Sequence, residues 1–360
     1  MKPRAHVLEL SHYQMSNKAV PEGKRPLILS QNESMFGYSP LVDLALDKNR
    51  EAISLYPSVD LDALRQSIAH VHKLDPDNLV FGLGSTDLIV QLCMLFLEPG
   101  RSLVTSQYGY VYLRKAVKMA GAETIFAAEP TVGQKSVDNL LAAIRPDTTL
   151  LFLDNPGNPT AELIPRSEVI RLIDNLPDHV LLILDEAYAE FIDPNDYEPN
   201  FDLMERGNVV ILRTFSKIYG LAGLRIGWGY FPKQIADYIA LIRPRLTNTA
   251  LGIAAAEAAV RDQEFMIDVR EKTAVIRQTF CDQLTSLGIH PLPSQTNFVL
   301  CRFASTEDAQ GAQEHLRSEG IVIRPVDVYG LTDHLRITIG TAEQMNLVYE
   351  NLKDWRLGNG

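Results

Sequence analysis

The sequence predicts an α/β protein: a mainly parallel sheet covered by helices, with a smaller α+β unit attached. Three observations carry that expectation. Between residues 79 and 230, short apolar runs alternate with helical stretches, the pattern of a parallel sheet wrapped by crossover helices. The runs at 150–153, 180–184 and 209–212 are continuously apolar rather than alternating, as strands buried on both faces are. From about residue 249 long helical stretches give way to short mixed elements, and 360 residues are too many for one domain of about 150. The expected division is an arm at 1–40 that joins the small unit, a large domain at 41–250 and a small domain at 251–360.

Taken in order, the arm is rich in polar and turn residues (Asn17, Pro21, Glu22, Gly23, Pro26), with apolar Leu27-Ile28-Leu29 ahead of Gln31-Asn32-Glu33. Leu55-Tyr56-Pro57 places a phenol in a turn. A helix is expected from Asp60 to Leu74, with Leu61, Leu64, Ile68 and Val71 on one face and Asp75-Pro76 as its stop. His70 and His72, two residues apart, point to different faces and so do not suit a metal ion. A strand at 79–81, the turn Gly82-Leu83-Gly84-Ser85-Thr86 and an apolar helix at 87–97 follow. A helix N-terminus after such a turn can hold an anion, because its first N–H groups lack partners. The turn lacks the third glycine of a dinucleotide fingerprint and the Gly-Lys-Ser/Thr of a Walker loop; alone, such a turn is more often just a tight connection.

A strand at 102–105 leads to Tyr108, Tyr110 and Tyr112 and a helix ending at Ala120-Gly121. Strands are then expected at 124–127, 149–153, 180–184 and 209–212, with helices between them to 145 and over 165–176. The C-terminal third reads as helices at 250–261 and 265–287, a strand at 296–301, a helix at 307–318, strands at 321–324 and 334–339, and a closing helix at 342–355.

Composition narrows the function classes. With 46% hydrophobic and 22% charged residues the chain is globular. The net charge of 34 − 45 = −11, with no Lys/Arg run, argues against nucleic-acid and anionic-membrane partners. A small anionic substrate is compatible, since a few buried arginines set the local field. Cys93, Cys281 and Cys301 are an odd number among apolar neighbours, which fits core packing in a reducing compartment better than disulfides or metal ligation. No apolar run approaches the roughly 18 residues of a membrane span, and Met1 to Leu10 has no signal-peptide core; a cytoplasmic protein is expected.

Ligands of open α/β sheets sit beyond the carboxyl ends of the strands, so residues just after each strand are the informative ones. Asp154-Asn155-Pro156-Gly157-Asn158-Pro159-Thr160 follows the first of three such strands, Asp185-Glu186-Ala187-Tyr188 the second, and Thr214, Ser216 and Lys217 the third. A lysine just past a buried strand sheds its proton more easily than a surface lysine and can attack a carbonyl as a neutral amine. The hydroxyls of Thr214 and Ser216, with the guanidinium of Arg225, suit a phosphate held near that amine. An amine, an aldehyde and a phosphate at one site is the chemistry of pyridoxal phosphate.

Those motifs, with Gly223-Leu224-Arg225-Ile226-Gly227 and Leu335-Arg336-Ile337-Thr338-Ile339-Gly340, occur in the order found in fold-type I pyridoxal-phosphate aminotransferases, and the chain most resembles the histidinol-phosphate aminotransferase group. The resemblance runs from about Asn32 to Asn346. It implies an aspartate-aminotransferase-like fold and pyridoxal 5'-phosphate as cofactor. Lys217 would bond the cofactor and move the proton, Asp185 would face the pyridine nitrogen, and Tyr188 and Asn158 would bond the ring hydroxyl. Gly84, Ser85, Thr86, Thr214, Ser216 and Arg225 would hold the phosphate, and Tyr108 would stack on the ring. Arg336 would clamp the substrate carboxylate with Asn32 nearby, and Tyr56 would cross to the neighbouring site of a homodimer.

The chain departs from the family pattern at Thr86-Asp87, at Asn32-Glu33-Ser34-Met35, at Ala161 in place of glycine, and at Arg245-Leu246-Thr247-Asn248-Thr249. The last change, in a loop expected near the substrate side chain, weakens histidinol phosphate as substrate and leaves aminotransferase intact. The reading is thus transfer of an amino group from an amino acid, or an amino-alcohol phosphate such as histidinol phosphate, to a 2-oxo acid. A decarboxylase of an O-phospho amino acid on the same fold is the alternative. A non-catalytic cofactor- or nucleotide-binding module is the remaining one, disfavoured by the incomplete glycine loop and the short, weakly basic arm.

Overall fold

The computed structural model describes residues 2–10, 19–57, 61–206 and 208–358; Asn17 of the arm and the helix start expected at Asp60 lie outside them. The arm carries a short strand, β1 (Leu27–Ile28). The large sheet has seven strands: β2 (Leu79–Gly82), β3 (Ser102–Ser106), β4 (Glu123–Ala127), β5 (Thr148–Asp154), β6 (Leu181–Asp185), β7 (Val209–Thr214) and β8 (Gly227–Tyr230). Their order across the sheet is β2-β8-β7-β6-β5-β3-β4. The neighbours from β7 to β4 are parallel, while β8 is antiparallel to both β2 and β7.

The mainly parallel, helix-covered sheet expected from the sequence is therefore present, with β8 as the unforeseen strand. Its four residues, Gly-Trp-Gly-Tyr, offer too little apolar surface for a strand signal and read as the tail of the glycine loop. The helix after the Gly82–Gly84 turn begins at Ser85 rather than Asp87, so Ser85 and Thr86 occupy its first turn. Helices Pro40–Lys48 and Lys233–Ile242 fall where no element was anticipated.

Alternation along the strands divides the core. Leu151, Leu153, Leu182, Leu184, Val209 and Ile211 pack on one face of the sheet. Leu150, Phe152, Leu181, Ile183, Val210 and Leu212 pack on the other. Helices cover both, as the period of two demands when every strand residue is buried.

The C-terminal part holds β9 (His290–Pro291), β10 (Phe298–Arg302), β11 (Ile321–Val322), β12 (Arg324–Val326) and β13 (Leu331–Thr338). Four of them form an antiparallel sheet in the order β12-β13-β10-β9. The single strand expected at 321–324 is two: β11 pairs in parallel with β1 of the arm, and β12 pairs with β13. Leu29 continues this connection, donating its N–H to the Val322 carbonyl (2.7 Å) and accepting from Thr338 N–H (3.0 Å). The arm is thereby stitched to the small sheet, and Ser30, Gln31 and Asn32 are delivered to the edge of the large one.

Among the described residues no helix is long and apolar enough to cross a membrane, and all three cysteines are free thiols. One close approach ties the arm to the Lys217 loop. Gly220 has φ +71°, and a Cβ there would overlap the Gly37 carbonyl oxygen. Gly220→Ala is expected to cost about 1–3 kcal/mol, from left-handed strain plus backbone displacement. The check is a thermal melt, in which an unchanged Tm would contradict the proposed packing.

Candidate active site

Parallel register places the chemistry in rows. Asp154 of β5 lies opposite Asp185 of β6, and Asp185 opposite Leu212 of β7. One step beyond, Gly82, Gly227 and Thr214 form a second row through β8. The turn before helix Ser85–Phe96 and the turn after β7 are therefore neighbours. Gly227 permits this: a Cβ there would stand 2.6 Å from Gly84 C and Ser85 N. Arg225 Nη1 donates to Ser216 Oγ (3.3 Å), Nη2 donates to the Leu83 carbonyl (3.2 Å), and Thr214 Oγ1 accepts from Ser216 N–H (3.1 Å). Thr86 Oγ1 meets Tyr110 OH at 3.2 Å. Gly84, Ser85, Thr86, Thr214, Ser216 and Arg225 thus form one cluster of donors at a helix N-terminus, a composition suited to a phosphate.

Lys217 sits at the end of a cavity of about 160 Å³ lined also by Ser30, Asn32, Asn158, Tyr188, Arg324 and Arg336. Its Nζ donates to the Gln31 carbonyl (3.0 Å) and lies 5.7 Å from the Tyr188 ring centre. Burial, then the positive charge of Arg336, brings its pKa down to about 7, against the pull of Glu33. A neutral amine is therefore well populated near neutrality, as its position after a buried strand predicts.

Asp185 is shifted the opposite way. Burial, then the neighbouring Asp154 carboxylate, pushes it up to about 7. Its Oδ1 is buried without a hydrogen-bond partner, an acceptor waiting for a donor such as a ring N–H⁺. The orphaned carboxylate oxygen, the near-neutral amine and the donor cluster fit the three ends of pyridoxal phosphate.

Tyr188 is buried, its OH accepts from Asn32 Nδ2 (2.9 Å), and burial lifts its pKa to about 12. Asn32, at φ +55°, also bonds Thr338 Oγ1 through its N–H (3.0 Å), and its carbonyl accepts from Asn297 Nδ2 (3.1 Å). Arg336 Nη1 donates to Asn158 Oδ1 (2.5 Å) and Nη2 to the Ser30 carbonyl (2.9 Å).

Tyr108 and Tyr56, singled out in the sequence, belong neither to the lining of this cavity nor to the donor cluster. Tyr108 is half-buried against Leu300, Val326 and Leu331 and accepts from Gln107 Nε2; the phenols that line the cavity are those of Tyr110, Tyr188 and Tyr329. Tyr56 is 87% exposed. The loop at 245–249 also lies elsewhere: Arg245, Leu246, Thr247 and Asn248 line a separate cavity with Leu61 and Arg65. There the buried Asn248 donates to the Gly82 carbonyl at 3.0 Å.

Sequence reasoning missed Arg324, Glu186 and Arg213. Arg324 lies directly opposite Arg336 in the β12–β13 pairing, a register no local pattern announces. Glu186 and Arg213, in contrast, stand beside the motif residues Asp185 and Thr214, and no spacing signal gives either a role. Arg213 bonds the buried Glu186 (2.8 Å) and Glu190 (3.0 Å) and the half-buried Tyr197 OH (2.6 Å), and so pins the Asp185–Tyr188 turn to β7.

A family model described as "Aminotransferase class I and II" matches residues 25–352. A histidinol-phosphate aminotransferase of Jannaschia sp. (strain CCS1) is 40% identical over 353 residues, covering 98% of this chain and 97% of the relative. The crystal structure of histidinol-phosphate aminotransferase from Sinorhizobium meliloti in complex with pyridoxal-5'-phosphate is similar with a TM-score of 0.92 at 30% identity, over 100% of this chain and 98% of that one. The L-threonine-O-3-phosphate decarboxylase of Porphyromonas gingivalis shares the fold, with a TM-score of 0.77 at 24% identity over 91% and 99% of the two chains.

The lowered pKa of Lys217 has a consequence for stability. Between about 7 and the unfolded value of roughly 10.4, the unfolded chain binds a proton that the folded chain does not. Stability from this group therefore rises with pH across that window and its penalty is full below it. Lys217→Met should be more stable than the parent by a few kcal/mol at pH 7, the gain fading toward pH 10. Melts of the cofactor-free proteins across that range test it; a pH-independent difference would show that the amine is not desolvated.

Proposed function

The chain belongs to the class I and II aminotransferase family, and from that premise we propose that it moves the amino group of histidinol phosphate to a 2-oxo acid. It is a pyridoxal-phosphate-dependent transaminase. The observation that carries the substrate assignment is the pair of guanidiniums, Arg324 and Arg336, lining one cavity with Lys217. A phosphate dianion is better matched by two arginines than is a single carboxylate. A 2-oxo acid needs only one, and Arg336 supplies it. The loop at 245–249, lying in a separate cavity of this chain, no longer counts against histidinol phosphate. The relatives' names support the same donor, and the decarboxylase alternative rests on likeness of fold alone.

When bound, pyridoxal phosphate supplies an aldehyde that condenses with an amine and a ring that accepts the electron pair left by a departing α-proton. The chain's residues do the rest. Lys217, neutral at working pH, is the covalent partner and then the base that takes and returns the proton. With the cofactor bound, Asp185 would accept the ring nitrogen's proton on its unpaired oxygen. Asn158 and Tyr188 would hydrogen-bond the ring hydroxyl, while Ser85, Thr86, Thr214, Ser216 and Arg225 would hold the phosphate. By resemblance Tyr108 would face the ring. Asn32 orders Tyr188 and borders the substrate.

The working unit is a homodimer in which Tyr56 reaches the partner's cofactor phosphate. Supporting this are the exposed Ile53, Leu55 and Leu44 beside the exposed phenol, an apolar patch of the kind that a partner covers. The free thiols support the cytoplasm.

Adding histidinol phosphate alone should bleach the yellow protein, and 2-oxoglutarate should restore the colour. Histidinol phosphate has no carboxyl group to lose, so the decarboxylase alternative is tested with L-threonine O-3-phosphate: carbon dioxide released from it, with no bleaching by histidinol phosphate, would overturn the reaction assigned. Arg324→Ala should raise KM for histidinol phosphate at least about tenfold while changing an aromatic amino-acid donor far less; equal effects on both donors would remove the phosphate role. For the dimer, sedimentation should give about twice the 40.2 kDa chain mass. Tyr56→Phe should weaken cofactor binding about tenfold, and an unchanged affinity would remove Tyr56 from the site.

A further inference from the structure

Behind the Asn158 loop lies a buried cluster of charges that the proposed reaction does not use. Lys135 is 1% exposed, its Nζ pairs with Asp154 Oδ1 (3.2 Å) and with Glu162, and it donates to the Asp154 carbonyl (3.1 Å). Asp154 in turn accepts the Asn158 N–H on Oδ2 (2.8 Å), and Asn158 Oδ1 accepts from Arg336 (2.5 Å). An unbroken chain of contacts therefore joins a buried ammonium to the arginine that receives the substrate anion.

Lys135 has room only because residue 157 is glycine: a Cβ there would overlap Nζ and stand 2.8 Å from Glu162 Oε2. Such a clash with a lysine end is ordinarily relieved by swinging the side chain away. Here the ammonium is enclosed and ion-paired on two sides, so it has nowhere to swing. Burial alone would strip its proton, but Asp154, Glu162 and Glu129 outweigh burial and keep it charged. Glu129, itself buried, is pushed up to about 7 by desolvation and by Glu162.

We propose that Lys135 is a positioning residue of the active site: seated in the space left by Gly157, it fixes Asp154, and through Asp154 it holds Asn158 against Arg336. The inference rests on the placing of Asn158 and Arg336 in the site under the proposed function. Its physical basis is that a buried carboxylate robbed of its counter-charge must protonate or move, and Asp154 then either loses the Asn158 N–H or holds it by a neutral hydrogen bond about half as strong as the charge-assisted one. Because Asp154 also faces Asp185 across β5 and β6, the same ammonium balances the second carboxylate beside the one assigned to the ring nitrogen.

The test uses the full-length enzyme and three variants. Lys135→Met keeps the side-chain length without the charge. It should raise KM for histidinol phosphate about tenfold with kcat within threefold, and raise the Kd of pyridoxal phosphate, followed by quenching of tryptophan fluorescence in the cofactor-free protein. Lys135→Met/Asp154→Asn removes both charges but keeps an acceptor for the Asn158 N–H, and should recover most of each loss. Gly157→Ala presses on Nζ, and on Glu162 Oε2 and Thr160 Oγ1 beside it, and should reproduce the KM rise if Lys135→Met does not fold. Parent-like KM and Kd in folded Lys135→Met, or in Gly157→Ala, would overturn the proposal. A double variant no better than Lys135→Met alone would do the same. Failure of the parent itself to take up pyridoxal phosphate would instead strike the function proposed, so the two failures are distinguishable.

Discussion

The structure depends on keeping water from one amine. Lys217 lies past the end of a strand whose six residues are all buried, and desolvation dominates its lowered pKa. The same dryness raises Asp185. Burial pushes a base and an acid toward their neutral forms alike, which leaves a nucleophilic amine at one end of the site and an under-satisfied carboxyl at the other. Neither group could hold that condition on the surface. The seven-stranded sheet and its two apolar faces are thus the means by which ordinary side chains acquire their reactivity.

Other buried charges nearby are compensated. Arg213 has Glu186 and Glu190, and Lys135 has Asp154 and Glu162. Buried ion pairs add little net stability, because desolvating two charges offsets most of their attraction. What they add here is geometry. Arg213 ties the turn after β6 to β7, while Lys135 ties the loop after β5 to its own strand end. The carboxyl ends of three adjacent strands are consequently fixed with respect to one another, and Asn158, Asp185 and Lys217 with them.

Much of this was legible in the sequence, for a definite reason. Strands buried on both faces announce themselves as continuous apolar runs, and the rule that ligands sit beyond their carboxyl ends then singles out Asn158, Asp185 and Lys217 with no knowledge of their contacts. What could not be read depends on register between distant segments. Arg324 meets Arg336 only because β12 and β13 pair antiparallel, and Lys135 meets Asp154 across 19 residues through a loop with no periodic signal. β8 was hidden by its two glycines, the feature that lets it approach the Gly84 turn. The loop at 245–249 was assigned to the substrate by resemblance, yet in this chain Asn248 props the turn before helix Ser85–Phe96.

The contacts around the cavity also explain how a substrate could sharpen the amine. The arm and the small sheet reach the large domain through Gln31 on Lys217, Asn32 on Tyr188 and Arg336 on Asn158. A substrate anion arriving at Arg336 competes with the neutral Asn158 amide, and a charge-assisted hydrogen bond is roughly twice as strong as a neutral one, so the exchange favours the anion. Arg336 is, after burial, the largest influence holding the Lys217 pKa down. Neutralising its charge therefore raises the basicity of the amine. On the roles proposed above, the amine freed from the cofactor would be a stronger base with an anion at Arg336 than without one. In the proposed reaction a single arginine would thus face both the anion and the amine, and would couple recognition to proton transfer.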